Sequence, residues 1–300
     1  MKEQLGIARR WLIASPIIAI LKPELMIEKL ASIALPSPHL RLKHCRHGVM
    51  LYSARDKYVG GSLDRYGEFS ELEAQLFSGL IKPGMMVLEI GANIGAHTVH
   101  LAKLVGENGG VVAFEAQRVI FQMLCANLAL NGIENTDAKC LAVGAAAGEI
   151  TVPRVDYRGD NSFGGIALGG DDGDVVEMIA IDNLMLPACH MIKIDVEGME
   201  KQVLDGARQT ITRFRPYLYV GDGKPDKHAE LIATLLDLDY RMWWHQPWLY
   251  NPGNLAGDSE NLFPGIASFN LICLPSEAAP DELEGGVEVK TANDPHPLQR

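Results

Sequence analysis

At 300 residues, with 47% hydrophobic content and a formal net charge of −11, the chain can bury one large α/β core or two small ones. The acidic balance leaves no general basic surface and there is no lysine or arginine run after Arg10, which argues against duplex or single-stranded nucleic acid as a partner. Five scattered cysteines, Cys45, Cys125, Cys140, Cys189 and Cys273, show no paired spacing for zinc or redox chemistry and read as reduced thiols of a cytoplasmic protein.

The apolar run Trp11–Leu21 follows Arg9-Arg10 but is too short to span a bilayer, and Pro16, Lys22 and Pro23 interrupt it. Two readings stand for it: a helix packing on the domain or on a second subunit of a homo-oligomer, or peripheral membrane contact through residues 9–21. Residues 1–47 are therefore expected to form a helical N-terminal extension. A short strand follows over Gly48–Ser53, then a turn-rich stretch over Asp56–Tyr66. Ser70-Glu71-Leu72-Glu73 has capping-box spacing, and Phe69, Leu72, Leu76 and Leu80 form one helical stripe.

Lys82-Pro83-Gly84 ends that helix, and Met85–Ile90 is too short and too β-branched for a buried helix, so it reads as a central parallel strand. Gly91 and Gly95 then allow the backbone to pass close to a ligand and to pack the next helix on the sheet, with free N–H groups at its start. A structural strand-to-helix connection alone would look the same. What separates the two is Val111–Glu115, a second strand ending in a carboxylate, where dinucleotide-binding folds place the acid that pairs with ribose hydroxyls. The dinucleotide fingerprint requires glycine where this chain has Asn93, because a pyrophosphate needs bare backbone there. S-adenosyl-L-methionine has a ribose and no phosphate, so the pattern favours a methyl donor, with Glu89 near its amino-acid end.

Further on, a helix with Leu124 and Leu128 on one face stops at Asn131-Gly132, and a third strand runs near Ala138–Val143. This alternation predicts a doubly wound parallel sheet. Residues 148–190 break the rhythm with two strands, near 149–155 and 175–181, joined by the glycine-rich stretch that opens at Asn161-Ser162-Phe163-Gly164-Gly165. That stretch reads as surface loop or as a cover over the ligand. Met191–Asp195 is a buried strand from which Asp195 and Glu197 point to one face. Two carboxylates there can hold an ammonium, bind a metal or take a proton. The helix that follows, with Val203, Ala207, Ile211 and Phe214 on one side, is expected to keep Glu197 anionic through its N-terminus or to be capped by it. Tyr217–Val220 is a strand, residues 226–238 a helix, and Tyr240–His245 and Phe269–Leu274 the closing antiparallel strands. Trp243, Trp244, Trp248, Tyr240 and Tyr250 gather around His245, which stands either as the base for an acceptor's proton or as a hydrogen-bonded core imidazole. Residues 276–300 are acidic and poor in apolar side chains, and are expected to be a disordered tail.

Five motifs in order, Glu89–Thr98, Phe114-Glu115, Asn127–Gly132, Leu141–Gly144 and Ile192–Gly198, resemble the motif set of the FkbM-type methyltransferase family over about residues 48–275. The chain departs from the family at Gly221-Asp222, where a Glu-Asn-like pair is usual. The resemblance implies a class I, Rossmann-like, mostly parallel seven-stranded sheet and methylation from S-adenosyl-L-methionine, usually onto a hydroxyl of a sugar or other secondary metabolite. Residues and resemblance together assign Tyr66, Glu89, Gly91, Asn93, Gly95, Thr98, Glu115, Ala116, Asn161 and Asp195 to the cofactor. Glu197, His245 and Asp195 are the candidates for proton transfer and positioning. No Asp/Asn-Pro-Pro-aromatic tetrad follows Asp195, which favours oxygen over exocyclic nitrogen as the acceptor atom. A resident divalent metal is not expected, because Asp195 and Glu197 are a thin ligand set. Two rival readings are a non-catalytic cofactor-binding scaffold, acting through the N-terminal helix and tail, and a nicotinamide-dependent oxidoreductase, which Asn93 disfavours.

Overall fold

The protein is described by a computed structural model covering residues 32–35, 37–283 and 285–299. Its strands are short apolar runs whose successive side chains enter two different cores, as a strand covered on both faces requires. Strand β4 (Met86–Ile90) sends Leu88 and Ile90 to one side and Val87 to the other. Parallel partners flank it: β5 (Gly110–Phe114) then β6 (Thr136–Lys139) on one side, and β10 (Met191–Ile194) then β11 (Tyr217–Gly221) on the other. Beyond β11, strand β13 (Asn270–Pro275) runs antiparallel, followed by β12 (Tyr240–His245) and β14 (Val287–Val289). The chain thus leaves β4 in one direction through β5 and returns to its other side at β10, which makes the β4–β10 gap a topological switch point.

Helices cover both faces. On the Leu88 side lie α5 (Glu200–Asp205), α6 (Arg208–Phe214) and α7 (His228–Asp237), contributing Val203, Ile211 and Leu235. On the Val87 side lie α1 (Val59–Tyr66), α2 (Glu71–Leu80), α3 (Ala96–Val105) and α4 (Arg118–Leu130), contributing Leu63, Phe77, Val99 and Leu124. Two small sheets flank this body, β1 (Ser32–Ala34) with β2 (Leu40–Cys45) and β3 (Gly48–Ser53), and β7 (Ala142–Val143) with β9 (Gly173–Ile179) and β8 (Gly148–Pro153). The β2–β3 hairpin is held to α4 by two asparagines. Asn127 accepts from Leu51 N (2.6 Å) and donates to the Leu51 and Ile94 carbonyls (3.0 and 2.7 Å), while Asn131 accepts from Val49 N and donates to its carbonyl.

Several expectations are corrected. The sheet has eight strands rather than seven, because the tail expected to be disordered supplies β14. Val287 and Val289 pair with the open edge of β12, Glu288 takes Arg241 at 2.7 Å, and the buried His296 donates from Nε2 to the Asp222 carbonyl at 2.6 Å. Of the helical extension expected over 1–47, residues 1–31, including the apolar run, lie outside the described residues. Residues 32–34 and 40–45 are strands. The turn-rich 56–66 stretch closes into α1 from Val59. The third strand is two pieces, β6 and β7, in different sheets. Ser70 sits at φ 44 and makes no backbone cap; its hydroxyl donates to Glu73 Oε1 at 2.8 Å instead of forming the capping box. The helix after Gly198 breaks into α5 and α6 around Gly206, which packs against the Gly144 carbonyl so closely that no side chain fits.

Asn127→Ala leaves three backbone groups without partners in a buried place and is expected to lower stability on the order of 3 kcal/mol. A urea titration with unchanged midpoint and slope would contradict the docking role.

Candidate functional site

The connection from β4 to α3 contains three left-handed residues in five: Gly91 (φ 83), Asn93 (φ 51) and Gly95 (φ 85). A side chain on Gly91 would strike the Asp195 carbonyl oxygen, so glycine is what lets the ends of β4 and β10 close together. A side chain on Gly95 would strike Leu124, so that glycine serves the packing of α3 on α4. Asparagine tolerates the left-handed region, and Asn93 turns its N–H onto Glu115 Oε2 at 2.9 Å. Gln117 N donates to the other oxygen, Oε1, at 2.8 Å. Glu115 is thereby aimed at the glycine turn while only 7% exposed. Burial pushes its carboxyl up to about 7, against the two N–H donors that favour the ionised form.

A cavity of about 380 Å³ opens above the carboxyl ends of β4 and β10. Glu89, Gly91, Asn93, Glu115, Lys193, Asp195 and Glu197 form its floor and one wall, and Asp56, Tyr58, Phe69, His97, Ser162, Gly164, Leu249, Ile266 and Ser268 close it. A smaller cavity of about 50 Å³ shares Gly91, Glu115, Gly164, Asp195 and Glu197 and runs on between Ala116, Gln117, Leu141, Ala142 and Val143. The two form one crevice across the switch point. Residues 160–165 lie over it. Arg55 pairs with Asp160, Lys57 N donates to the Asn161 carbonyl, and Gln117 Nε2 donates to the Phe163 carbonyl.

The electrostatics are those of a crowded acid site. Glu89 and Lys193 stand side by side in register on the Val87 face, with Tyr219 next in the row. Lys193 Nζ lies 3.7 Å from Glu89 Oε1 and 3.5 Å from Asp195 Oδ2. Burial alone would lower Lys193, but Asp195, Glu89 and Glu73 outweigh it and hold it above the ordinary lysine value. Burial raises Glu89, with Lys193 and the Thr98 hydroxyl opposing. Two buried atoms of this crevice have no hydrogen-bond partner among the described residues, Glu89 Oε1 and His97 Nε2. Glu197 is itself left-handed (φ 55), a conformation that costs a non-glycine residue energy and that aims its carboxylate into both cavities. Its carboxyl is raised by burial first and by Asp195 second, with Lys224 at 3.1 Å opposing. The expected helix-terminus effect that would hold Glu197 low is overridden, because α5 begins only at Glu200, whose own carboxylate accepts from Gly198 N.

Of the residues assigned from sequence, Glu89, Gly91, Asn93, Glu115, Asp195 and Glu197 line the crevice, with Ala116 in its smaller arm. The others do not line it. Thr98 donates to Glu89 Oε2 at 2.6 Å and is wholly buried, so it positions that acid. Gly95 faces Leu124. Tyr66 is buried against residues 250–263, its hydroxyl donating to the Glu260 carbonyl and accepting from Leu262 N. Asn161 is exposed, its side chain closing its own turn on Ser162 N, while Ser162, Gly164 and Gly165 reach the cavity. His245 is outside both cavities, hydrogen-bonded through Nδ1 to the Tyr219 hydroxyl at 2.8 Å and held down to about 4 by burial. Tyr240, Trp243 and Trp244 are core, and Trp248 alone of that group is exposed, at 57%. Asp56, Tyr58, His97, Lys193 and Ser268 are additions. A lysine two residues before Asp195 in an otherwise apolar strand was the one visible signal among them; Ser268 offered none. Among the described residues no group of three or more His, Cys, Asp or Glu is placed to hold a metal ion, and no helix is long and apolar enough to cross a membrane.

A family model described as the methyltransferase FkbM domain matches residues 89–242. Among solved structures, the chain is similar to the methyltransferase FkbM from Methylobacillus flagellatus KT (16% identity, TM-score 0.43, covering 67% of this chain and 50% of that one). It is also similar to precorrin-6y C5,15-methyltransferase from Geobacter metallireducens GS-15 (14%, 0.44, 68% and 88%). A third is a SAM-dependent O-methyltransferase from Thermotoga maritima (16%, 0.40, 71% and 66%). The chain thus spans half the length of the Methylobacillus structure. Comparison with curated proteins finds no match.

Gly91→Ala combines a left-handed backbone with a backbone collision and is expected to destabilise the fold by at least about 1–3 kcal/mol. Thermal unfolding indistinguishable from the unaltered protein would show that β4 and β10 do not need this close approach.

Proposed function

Because the chain belongs to the FkbM methyltransferase family, we propose that its crevice binds S-adenosyl-L-methionine and that the protein methylates a hydroxyl of a sugar, glycan or other small secondary metabolite. The single observation that carries this reading is Glu115, a buried carboxylate with no basic partner among the described residues, held by two backbone N–H groups toward the glycine turn. Both of its oxygens keep acceptor capacity for a pair of ribose hydroxyls.

The remaining residues suit the same ligand. Ala116, Leu141, Ala142 and Val143 line a narrow, largely apolar slot that an adenine ring suits. The unpartnered Glu89 Oε1 and His97 Nε2 offer polar contacts to an amino-acid head group, with Lys193 and Asp195 beside them. Five carboxylates and one lysine around the cavity favour a ligand of net positive charge. The Asn93 side chain at the turn still disfavours a dinucleotide pyrophosphate.

When bound, this cofactor supplies an electrophilic methyl group on a sulfonium. The chain's own part is to align an acceptor with it in a site closed to water. Leu249, Ile266 and Ser268 line the same cavity as Asp195, and in this reading they form the acceptor's place. Asp195, with a side chain 54% exposed, orients the hydroxyl, and Glu197, 31% exposed, takes its proton. A carboxyl raised by burial is a better base than an ordinary one. His245 is reassigned as a support for Tyr219, since it does not reach the cavity. Residues 160–165 act as the cover.

Glu115 must be ionised to accept from both ribose hydroxyls, and its carboxyl stands near 7 in the free protein. Affinity for S-adenosylhomocysteine is therefore expected to strengthen as pH rises from 6 to 8. Glu115→Gln should flatten that dependence and weaken binding at pH 8 by about 1–3 kcal/mol, the cost of hydrogen bonds to a charged group. Isothermal calorimetry showing unchanged affinity would remove the ribose role. A mass-spectrometric product screen against glycoside and polyketide hydroxyls tests the acceptor class, and methylation confined to nitrogen or carbon would replace it.

A further inference from the structure

The crevice contains more acid than the described residues neutralise. Asp56 is taken up by the N–H groups of Tyr58, Val59 and Gly60 at the start of α1. Lys193 is one ammonium shared by Glu89 and Asp195. Glu197 has the half-exposed Lys224, reaching in from beyond the crevice wall. Glu115 has backbone donors only. The groups facing Glu197 are thus Asp195 on its own strand end, Lys224 after β11, Glu115 across the smaller cavity, and Glu200 at the start of α5, with Lys193 on the cavity floor. The cover over them brings one charge, Asp160, which is paired with Arg55, and its cavity-lining residues Ser162, Gly164 and Gly165 bring none. A poorly solvated space does not hold several uncompensated carboxylates as anions; protons or a bound cation must balance them. Glu89 Oε1, fully buried, accepts no hydrogen bond among the described residues and has only the shared Lys193 ammonium near it, at 3.7 Å.

Resting on the reading above, we propose that the crevice trades one positive charge for another: a sulfonium entering it displaces a proton from the buried Glu89 and Glu197 carboxyls, and methyl transfer returns a proton to Glu197. The balance closes. The acceptor O–H bond breaks and its proton passes to Glu197, the oxygen forms the O–CH3 bond, and the S–CH3 bond breaks with its electron pair left on a neutral sulfide. The total charge beside Lys193 and Asp195 is the same before and after, so the step requires no charge to be created in a poorly solvated place. The protonated Glu197 is the state of the free crevice, so departure of the neutral products closes the cycle, and the one proton of each turnover goes to water when the next sulfonium enters.

The test needs no methyl acceptor. The full chain is titrated calorimetrically at pH 7 in phosphate, Pipes and Tris, whose ionisation enthalpies differ, with three probes. S-adenosylmethionine carries a permanent cation at the reacting centre, sinefungin carries an ammonium there, and S-adenosylhomocysteine carries none. Protons linked to the ribose contact of Glu115 are common to all three and cancel in the differences. Both cationic probes are expected to release up to about one proton more than S-adenosylhomocysteine, and Glu197→Gln should remove most of that excess while still binding S-adenosylhomocysteine, which shows that it folds. Equal proton counts for the three probes overturn the charge exchange and leave the cofactor reading intact. An excess that survives in Glu197→Gln overturns the place given to Glu197. Failure of all three probes to bind overturns the cofactor reading itself.

Discussion

One buried carboxylate, Glu115, fixes the geometry on which the site depends. It sits at the end of β5 and accepts from Asn93 in the β4–α3 turn and from Gln117 at the start of α4. The β4–α3 turn and the β5–α4 connection are thereby tied together at the sheet's carboxyl edge. The same turn needs Gly91 for the approach of β10 and Gly95 for the approach of α4, so the crevice and the packing behind it are consequences of the same few residues. A buried acid with no basic partner among the described residues is costly for a fold, and this one lines both cavities.

A second polar feature lies deeper. Glu89, Lys193 and Tyr219 form a row across β4, β10 and β11 on a face otherwise given to hydrophobic packing. Glu73 from α2, also buried and pushed up to about 7 by burial, lies close enough to Lys193 and Asp195 to feel their charges, and the row ends at His245 behind Tyr219. Buried ion pairs seldom add net stability over well-packed apolar residues. Their placement beneath the crevice accords with a site in which charge and protons are managed, whereas the opposite face of the sheet, built from Leu88, Ile192 and Leu218, carries the hydrophobic stabilisation.

Much of this was legible in the sequence because it is local. The apolar runs at 86–90, 110–114 and 191–194, the glycines at 91 and 95 and the acid at 115 each declare themselves within a few residues, and together they specify a doubly wound sheet with a crevice. What was not legible depends on distant partners. Ser70 and Glu73 have the spacing of a capping box, yet Glu73 is drawn into the core beside Lys193 and the cap is never made. Tyr66 has a plausible polar side chain, but distant neighbours at 260–262 satisfy it first, and Asn161 spends its side chain on its own turn, at Ser162 N. His245 had aromatic company in sequence, and only the folded strand order shows Tyr219 standing between it and the cavity. The tail looked too polar to fold alone, and it does not fold alone; the open edge of β12 gives Val287 and Val289 a partner.

The most direct test of the central claim is a crystal structure of the protein grown with S-adenosylhomocysteine. The account requires the adenosyl group across the carboxyl ends of β4 and β5, both ribose hydroxyls on the Glu115 carboxylate, and the sulfur on the side of Asp195 and Glu197. A nucleoside bound elsewhere, or a Glu115 turned away from the ribose, would contradict it.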